Sequence, residues 1–523
     1  MPCQIGGTTV AGDFDGTLRL PRGARRLCPV HAGGGADAAR GRAVTAAADP
    51  VLEAVAPEGV LDLTALGERY GSAPALRWRG HTVDYRDYVR HAAEAAADLA
   101  EAGVTANHRV ALPAELDPPT WAANLFAILS AGALAVLLPA RAAPRERDRL
   151  LERTGAVEWH PRRRTAPPAA APPALRIAIN RPATVVFTSG SSGAAKAVVH
   201  SAANHLYNAA GSAANIPLRP DDAWLVALPL SHVAGLSILF RTLGAGACAL
   251  FADGGSFRGA DDPAARLLPD ATHVSLVETQ LRRLLQIPGW QERTRRLRAA
   301  LIGGSALSAA LLRQARDAGL PVCASYGCTE MASQIATTRP GDPAETFAGA
   351  APVLPHRRVA IGTGGEILLG GRTLCLGYLE QERVRPAAGA GGWFASGDLG
   401  RLDGGRLSVT GRRDARFISG GENIQPEEVE QALLAHPAVL AAVCVAVPDP
   451  EFGRRPAAFL ALASGPLPPP DIEVHLDPLL ARFKHPIRYF AMPAPPADAA
   501  GGAIKHSRRA LAALAARAIS ESA

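Results

Sequence analysis

The chain has 523 residues, 48% of them apolar and 20% charged; these are the proportions of a folded globular protein and exclude a fibrous or wholly disordered one. Its length exceeds one ordinary core, so two or more domains are expected. The net charge of +7 is scattered, and with 5% aromatics there is no basic stripe with interleaved rings, which sets nucleic-acid binding aside.

Residues 1–55 are rich in Gly, Ala and Arg without periodicity. They read as a loosely ordered extension, or as the product of a wrongly chosen start codon. No basic start followed by an apolar core marks a signal peptide. Regular pattern begins near Val60. Tyr88–Ala102 is predicted as a helix and Val110–Leu112 as the strand after it. Trp121–Ala140 carries no charge and has the length of a membrane span. Asn124, Ser130 and Gly132 interrupt it, so it reads instead as a helix followed by a buried strand, Leu134–Leu138. Pro161–Pro173, beside the basic run Arg162-Arg163-Arg164, reads as a surface loop.

Further on, the short apolar runs Thr184–Thr188, Ala223–Leu228, His273–Val277 and Ala299–Ile302 alternate with helical stretches. That alternation predicts mostly parallel sheets layered with helices. Residues 365–411 shift to short strands with Gly-rich turns, a small β subdomain. After Asp414 the pattern changes again. Helices are predicted at Pro426–Leu434, Pro478–Phe483 and Ser507–Ile519, with a strand at Val439–Val447. The expected fold is α/β: a large N-terminal domain over residues 56–413, and a small α+β C-terminal domain over residues 414–523.

Two residue types stand out by their use. Seven cysteines are widely spaced with no CxxC pair, which argues against a disulfide framework or a zinc site and fits a reducing cytoplasm. Only Lys196, Lys484 and Lys505 are lysines. In so Arg-rich a chain these are the positions to inspect, because Arg cannot replace a compact ammonium where one is needed.

The strongest local signal is Thr184–Lys196. A β-branched strand enters a loop of Gly and hydroxyl residues, Thr188, Ser189, Gly190, Ser191, Ser192 and Gly193, closed by Lys196. Such a loop turns backbone N–H groups and hydroxyls toward an anion, and the lysine adds charge for phosphate. Its spacing is not that of the common P-loop. Elsewhere Tyr326 offers an aromatic face for a purine, Glu330 a hard oxygen for Mg²⁺, Asp398 two acceptors for a ribose diol, and Arg412 several donors.

The loop resembles the phosphate-binding signature of the adenylate-forming enzymes: acyl-CoA synthetases, nonribosomal adenylation domains and luciferases. Four more segments match in order: Tyr326–Met331, Ser396–Leu399, Gly411–Asp414 and Gly502–Lys505. The resemblance implies an enzyme that couples ATP and Mg²⁺ to activation of a carboxylate, then passes the acyl group to the thiol of coenzyme A. It implies nucleotide contacts from the loop, Lys196, Gly304, Tyr326, Thr329, Asp398, Arg412 and Gly421. It also implies a mobile small domain that swings about Asp414 and brings Lys505 to the reacting carboxylate.

The segment Phe417–Glu430, with Gly-Gly-Glu-Asn-Ile-Gln-Pro, resembles the o-succinylbenzoate–CoA ligases of menaquinone biosynthesis, as does Leu228–Arg241. That likeness implies an acyl site with His232, Arg241, Gly303 and Ser325. Arg241 would face the carboxylate that is not activated, because a buried charge needs a partner. Departures are the residues before 55 and Ala194-Ala195, where a Pro is common. An aryl- or fatty-acid ligase on the same scaffold remains the alternative, as does a non-catalytic adenylate-binding module. The expected partners are small molecules: an aromatic dicarboxylate, ATP and coenzyme A. A homo-oligomer is compatible with the sequence.

Overall fold

The computed structural model describes residues 59–522 apart from 107, 141, 162–173, 189–194, 305–306, 344–349, 382, 464 and 494–507. The expectations for residues 1–55, the Pro161–Pro173 loop, Ser189, Gly190, Ser191, Ser192, Gly193 and Lys505 therefore lie outside, or almost wholly outside, the described residues.

Two large sheets are built from strands between Pro74 and Pro386. One has eight strands in the order Ser333–Thr337, Val322–Cys328, Ala299–Ile302, His273–Leu276, Ala223–Val226, Cys248–Phe251, Pro74–Trp78 and His81–Asp84. Its six central strands are parallel and each edge strand is antiparallel. Successive side chains of a strand face opposite sides. Thus Trp224 joins one core cluster and Leu225 another, and helices cover both faces, as a parallel sheet requires. The second sheet has seven strands, among them Arg109–Leu112, Leu134–Leu137, Pro182–Thr188, Lys196–Ser201 and Gly377–Glu380. A third sheet, of five antiparallel strands between Ala351 and Arg412, only partly matches the β subdomain expected over 365–411: it begins earlier, and Gly377–Glu380 with Arg383–Pro386 joins the seven-stranded sheet instead.

The uncharged stretch resolves as expected. Asp117 accepts from the Thr120 amide and Pro118 opens a helix to Ser130, whose Trp121–Leu129 are all buried; the strand Leu134–Leu137 follows. Among the described residues no helix is long and apolar enough to cross a membrane.

After Phe417 the apolar clusters contain only later residues. Three strands, Val439–Asp449, Gly453–Leu462 and Tyr489–Ala491, pack with helices Pro426–Leu434, Ile472–Leu476 and Arg508–Ser522. The chain is thus mixed α/β, with a large N-terminal and a small C-terminal domain. One predicted helix is misplaced. Pro478–Phe483 forms no α-helix; the α-helix is Ile472–Leu476, followed by turns and a short 3₁₀ segment, Arg482–Lys484. Pro478 has no N–H with which to continue the ladder that begins at Ile472.

Candidate active site

The site lies where open α/β sheets hold ligands, beyond the carboxyl ends of parallel strands. Gly303 and Gly304 follow the strand Ala299–Ile302, and Ser325 and Tyr326 belong to the neighbouring Val322–Cys328. A Cβ on Gly303 would stand 3.2 Å from the Ser325 carbonyl, and Gly304 has φ +96°. Glycine is what allows this close approach and this turn. Ser325 Oγ lies 2.8 Å from Thr337 Oγ1.

Tyr326, Asp398, Arg412 and Asp414 form one chain of contacts. The Tyr326 hydroxyl donates to Asp398 Oδ2 at 2.5 Å. Arg412 Nη1 donates to Asp398 Oδ1 at 2.9 Å, and its Nε to Asp414 Oδ1 at 3.1 Å. Burial, with Asp398 nearby, raises the Tyr326 pKa, so the phenol stays a donor. Burial works against the Arg412 charge, but the Asp414 and Asp398 contacts outweigh it and raise its pKa. The Arg412 hydrogen bond lowers that of Asp414. Glu366 steadies this group from behind, accepting from the Gly397 amide at 3.0 Å and from Arg413 Nη1 at 2.6 Å.

Glu330 sits on a one-turn 3₁₀ segment, Thr329–Met331, followed by Ala332 at φ +56° and Ser333 at φ +133°. Positive φ at two consecutive non-glycine residues is the kind of strain that functional turns carry. His200 Nε2 bonds the Thr329 carbonyl at 2.7 Å. The buried Tyr378 donates to Glu330 Oε1 at 2.9 Å, and its ring lies 5.4 Å from Lys196 Nζ. Lys196 is exposed and pairs in register with Thr188, so the loop between them leaves and returns at this spot. One Glu330 oxygen is held by Tyr378; the other can bind a hard cation. Mg²⁺ takes one or two carboxylates and completes its shell with phosphate and water, and the second oxygen of Glu330 fits that demand.

Arg241 is buried in the helix Val233–Ala245. Its Nη2 donates to Gln334 Oε1 at 3.0 Å and reaches Ser333 Oγ at 3.5 Å, while Nε and Nη1 have no partner. Among the described residues no ion pair joins it to a carboxylate. Burial pushes its pKa down to about 9. Arg357, also buried, donates Nε to the Gln334 carbonyl at 2.9 Å; burial and Arg241 push it down to about 9 as well. Two guanidiniums thus share Gln334, and among the described residues neither is ion-paired with a carboxylate. His232 caps the same helix at its N-terminus, nine residues or about 13 Å from Arg241 along the axis. Its imidazole is exposed, yet desolvation by surrounding protein lowers its pKa.

The structure therefore gathers Tyr326, Asp398, Arg412 and Asp414 in one group, Glu330 and Lys196 in a second around Tyr378, and Gly303 with Ser325. Gly421 stands apart, in the turn of the hairpin Phe417–Ser419/Glu422–Ile424. Tyr378, Gln334, Trp224 and His200 were not singled out from the sequence. Nothing local distinguishes them from core residues.

A family model described as AMP-binding enzyme matches residues 63–158 and 155–379, and one described as AMP-binding enzyme C-terminal domain matches 428–501. The chain belongs to the AMP-binding enzyme family. A relative within this family, the 2-succinylbenzoate–CoA ligase of Escherichia coli, is 38% identical over 328 residues, covering 63% of this chain and 68% of that protein. Among solved AMP-binding enzymes, the o-succinylbenzoate CoA synthetase of Bacillus subtilis superposes in two states. With its acyl-adenylate intermediate the TM-score is 0.75, and with ATP and magnesium ion it is 0.74. Identity is 28% in each case, over 86% of this chain and 98% of that one. The expected resemblance to adenylate-forming enzymes is borne out.

Proposed function

We infer that this AMP-binding enzyme is an o-succinylbenzoate–CoA ligase. It converts o-succinylbenzoate, ATP and coenzyme A into o-succinylbenzoyl-CoA, AMP and pyrophosphate, a step of menaquinone biosynthesis. The names of its relatives support the reaction. The observation that carries the substrate is Arg241: a buried cation with two unpartnered donors. Leaving such a group unpaired is costly, and the ring carboxylate of o-succinylbenzoate supplies what it lacks. The carboxylate to be activated is on the succinyl arm, toward His232 at the other end of the helix.

In the first half-reaction a succinyl carboxylate oxygen attacks the α-phosphorus of ATP, the bond to the β-phosphate oxygen breaks, and pyrophosphate leaves. Tyr326 and Asp398 hold the nucleoside, Arg412 and Lys196 meet its anionic side, and Glu330 holds Mg²⁺, which when bound neutralises the phosphates. Lys505 supplies the cation that stabilises charge between carboxylate and α-phosphate. In the second half-reaction the thiol sulfur of coenzyme A attacks the acyl carbonyl, the thiol proton is lost, and AMP leaves. Asp414 is the pivot between the two arrangements. The five described free cysteines support a place in a reducing cytoplasm.

Pyrophosphate release by the purified protein, measured over a panel of acids, tests this. Release with o-succinylbenzoate and formation of its CoA thioester are expected. Release with benzoate or medium-chain acids but not with o-succinylbenzoate would overturn the substrate.

A further inference from the structure

We propose that Trp224 is the positioning residue for Arg241: its indole face holds the guanidinium in place while leaving the donors free for the substrate's second carboxylate. This rests on the o-succinylbenzoate reading above and goes beyond it, because it names what makes the acid selective.

The need arises from how loosely Arg241 is otherwise held. A guanidinium has five N–H donors, and only Nη2 finds protein acceptors, Gln334 and Ser333. An ordinary solution, an ion pair, would satisfy the cation but occupy the very fork that must grip a carboxylate. An aromatic face does otherwise. It attracts a cation through its quadrupole and consumes no N–H. The Arg241 guanidinium carbon lies 5.0 Å from the centre of the Trp224 ring.

Trp224 is itself pinned. It is fully buried in the central strand Ala223–Val226. Its Nε1 donates to Ser275 Oγ at 3.0 Å on the adjacent strand. His273 stacks on it with centroids 5.1 Å apart and planes at 26°. These two contacts hold the ring in one place, so the face it offers to Arg241 is fixed. Burial keeps His273 neutral, so the stack adds no second charge to repel the guanidinium.

The test compares two acids: o-succinylbenzoate, and 4-oxo-4-phenylbutanoate, which lacks only the ring carboxylate. Steady-state kcat/KM is measured with each for the wild type, Trp224→Phe and Trp224→Leu. The preference of the wild type for o-succinylbenzoate should fall roughly tenfold or more in Trp224→Leu, which has no π face, and less in Trp224→Phe. The loss should appear mainly in KM for o-succinylbenzoate, with the descarboxy acid nearly unaffected. Equal losses on both acids would show a packing role only and overturn the proposal. If these variants do not fold, uniform incorporation of fluorinated tryptophan keeps the shape and drains the ring face. A graded fall in preference with fluorine number supports the proposal; an unchanged preference overturns it. A wild type that does not prefer o-succinylbenzoate at all would defeat the underlying substrate reading, a result distinct from the others.

Discussion

Tyr326 and Asp398, seventy-two positions apart, meet in a 2.5 Å hydrogen bond in which the buried phenol donates to the carboxylate. The same carboxylate receives Arg412 on its other oxygen. Asp398→Asn removes the charge that organises both partners. Hydrogen bonds to charged groups are worth about 1.5–3 kcal/mol, so KM for ATP should rise on the order of tenfold or more while KM for the acid changes little. An unchanged ATP KM would separate this group from the nucleotide.

Arg241→Ala should raise KM for o-succinylbenzoate sharply, because truncating one side of a buried charge pair costs about 2–5 kcal/mol. Arg241→Lys should recover part of it. Unchanged KM in the alanine variant would remove Arg241 from the acyl site.

Asp414 is exposed and bound to Arg412, while the adjacent Arg413 is anchored to Glu366. Motion about Asp414 would therefore act against a fixed near side. Asp414→Pro locks φ near −65° and should preserve one half-reaction and abolish the other. Stopped-flow measurement of adenylate formation and thioester formation decides; equal loss of both in a folded variant argues against a pivot.

Lys505→Ala should slow pyrophosphate release on the order of a hundredfold, as loss of one electrostatic contact to the transition state does. Given presynthesised acyl-adenylate, the variant should still make the thioester at nearly the normal rate. A common factor lost from both half-reactions would make the lysine structural or shared.

His205 is fully buried, bonded to Thr184 Oγ1 at 2.8 Å and stacked on Phe240. Burial, with His200 beside it, lowers its pKa well below the ordinary value. Below pH about 6.5 the unfolded chain takes up a proton that the folded chain refuses. Stability should therefore fall as pH drops from 7 to 5, by on the order of 1–2 kcal/mol for this group. Denaturant midpoints at both pH values check this, and His205→Phe should flatten the dependence. A variant with the same slope as wild type would place the titration elsewhere.

The sequence alone determined what is local: the strands Pro182–Thr188, Ala223–Val226, His273–Leu276 and Ala299–Ile302 are each legible in a few contiguous apolar residues. The helix at Pro426–Leu434 was likewise legible, because a Pro at its first position and its apolar spacing are local signals. The Pro478 start was misread by the same rule, since the apolar contacts of Ile472 and Leu476 in the small-domain core place that helix earlier. What only the tertiary structure decided is which side chains face one another. Gly377 pairs with Val199, and that register brings Tyr378 to Glu330 and Lys196. The parallel order of strands around Ala223–Val226 sets Trp224 beneath Arg241. Shifting either register by one residue would turn these side chains to the opposite face, and hydrophobic pattern cannot set strand order where both faces of a sheet are buried.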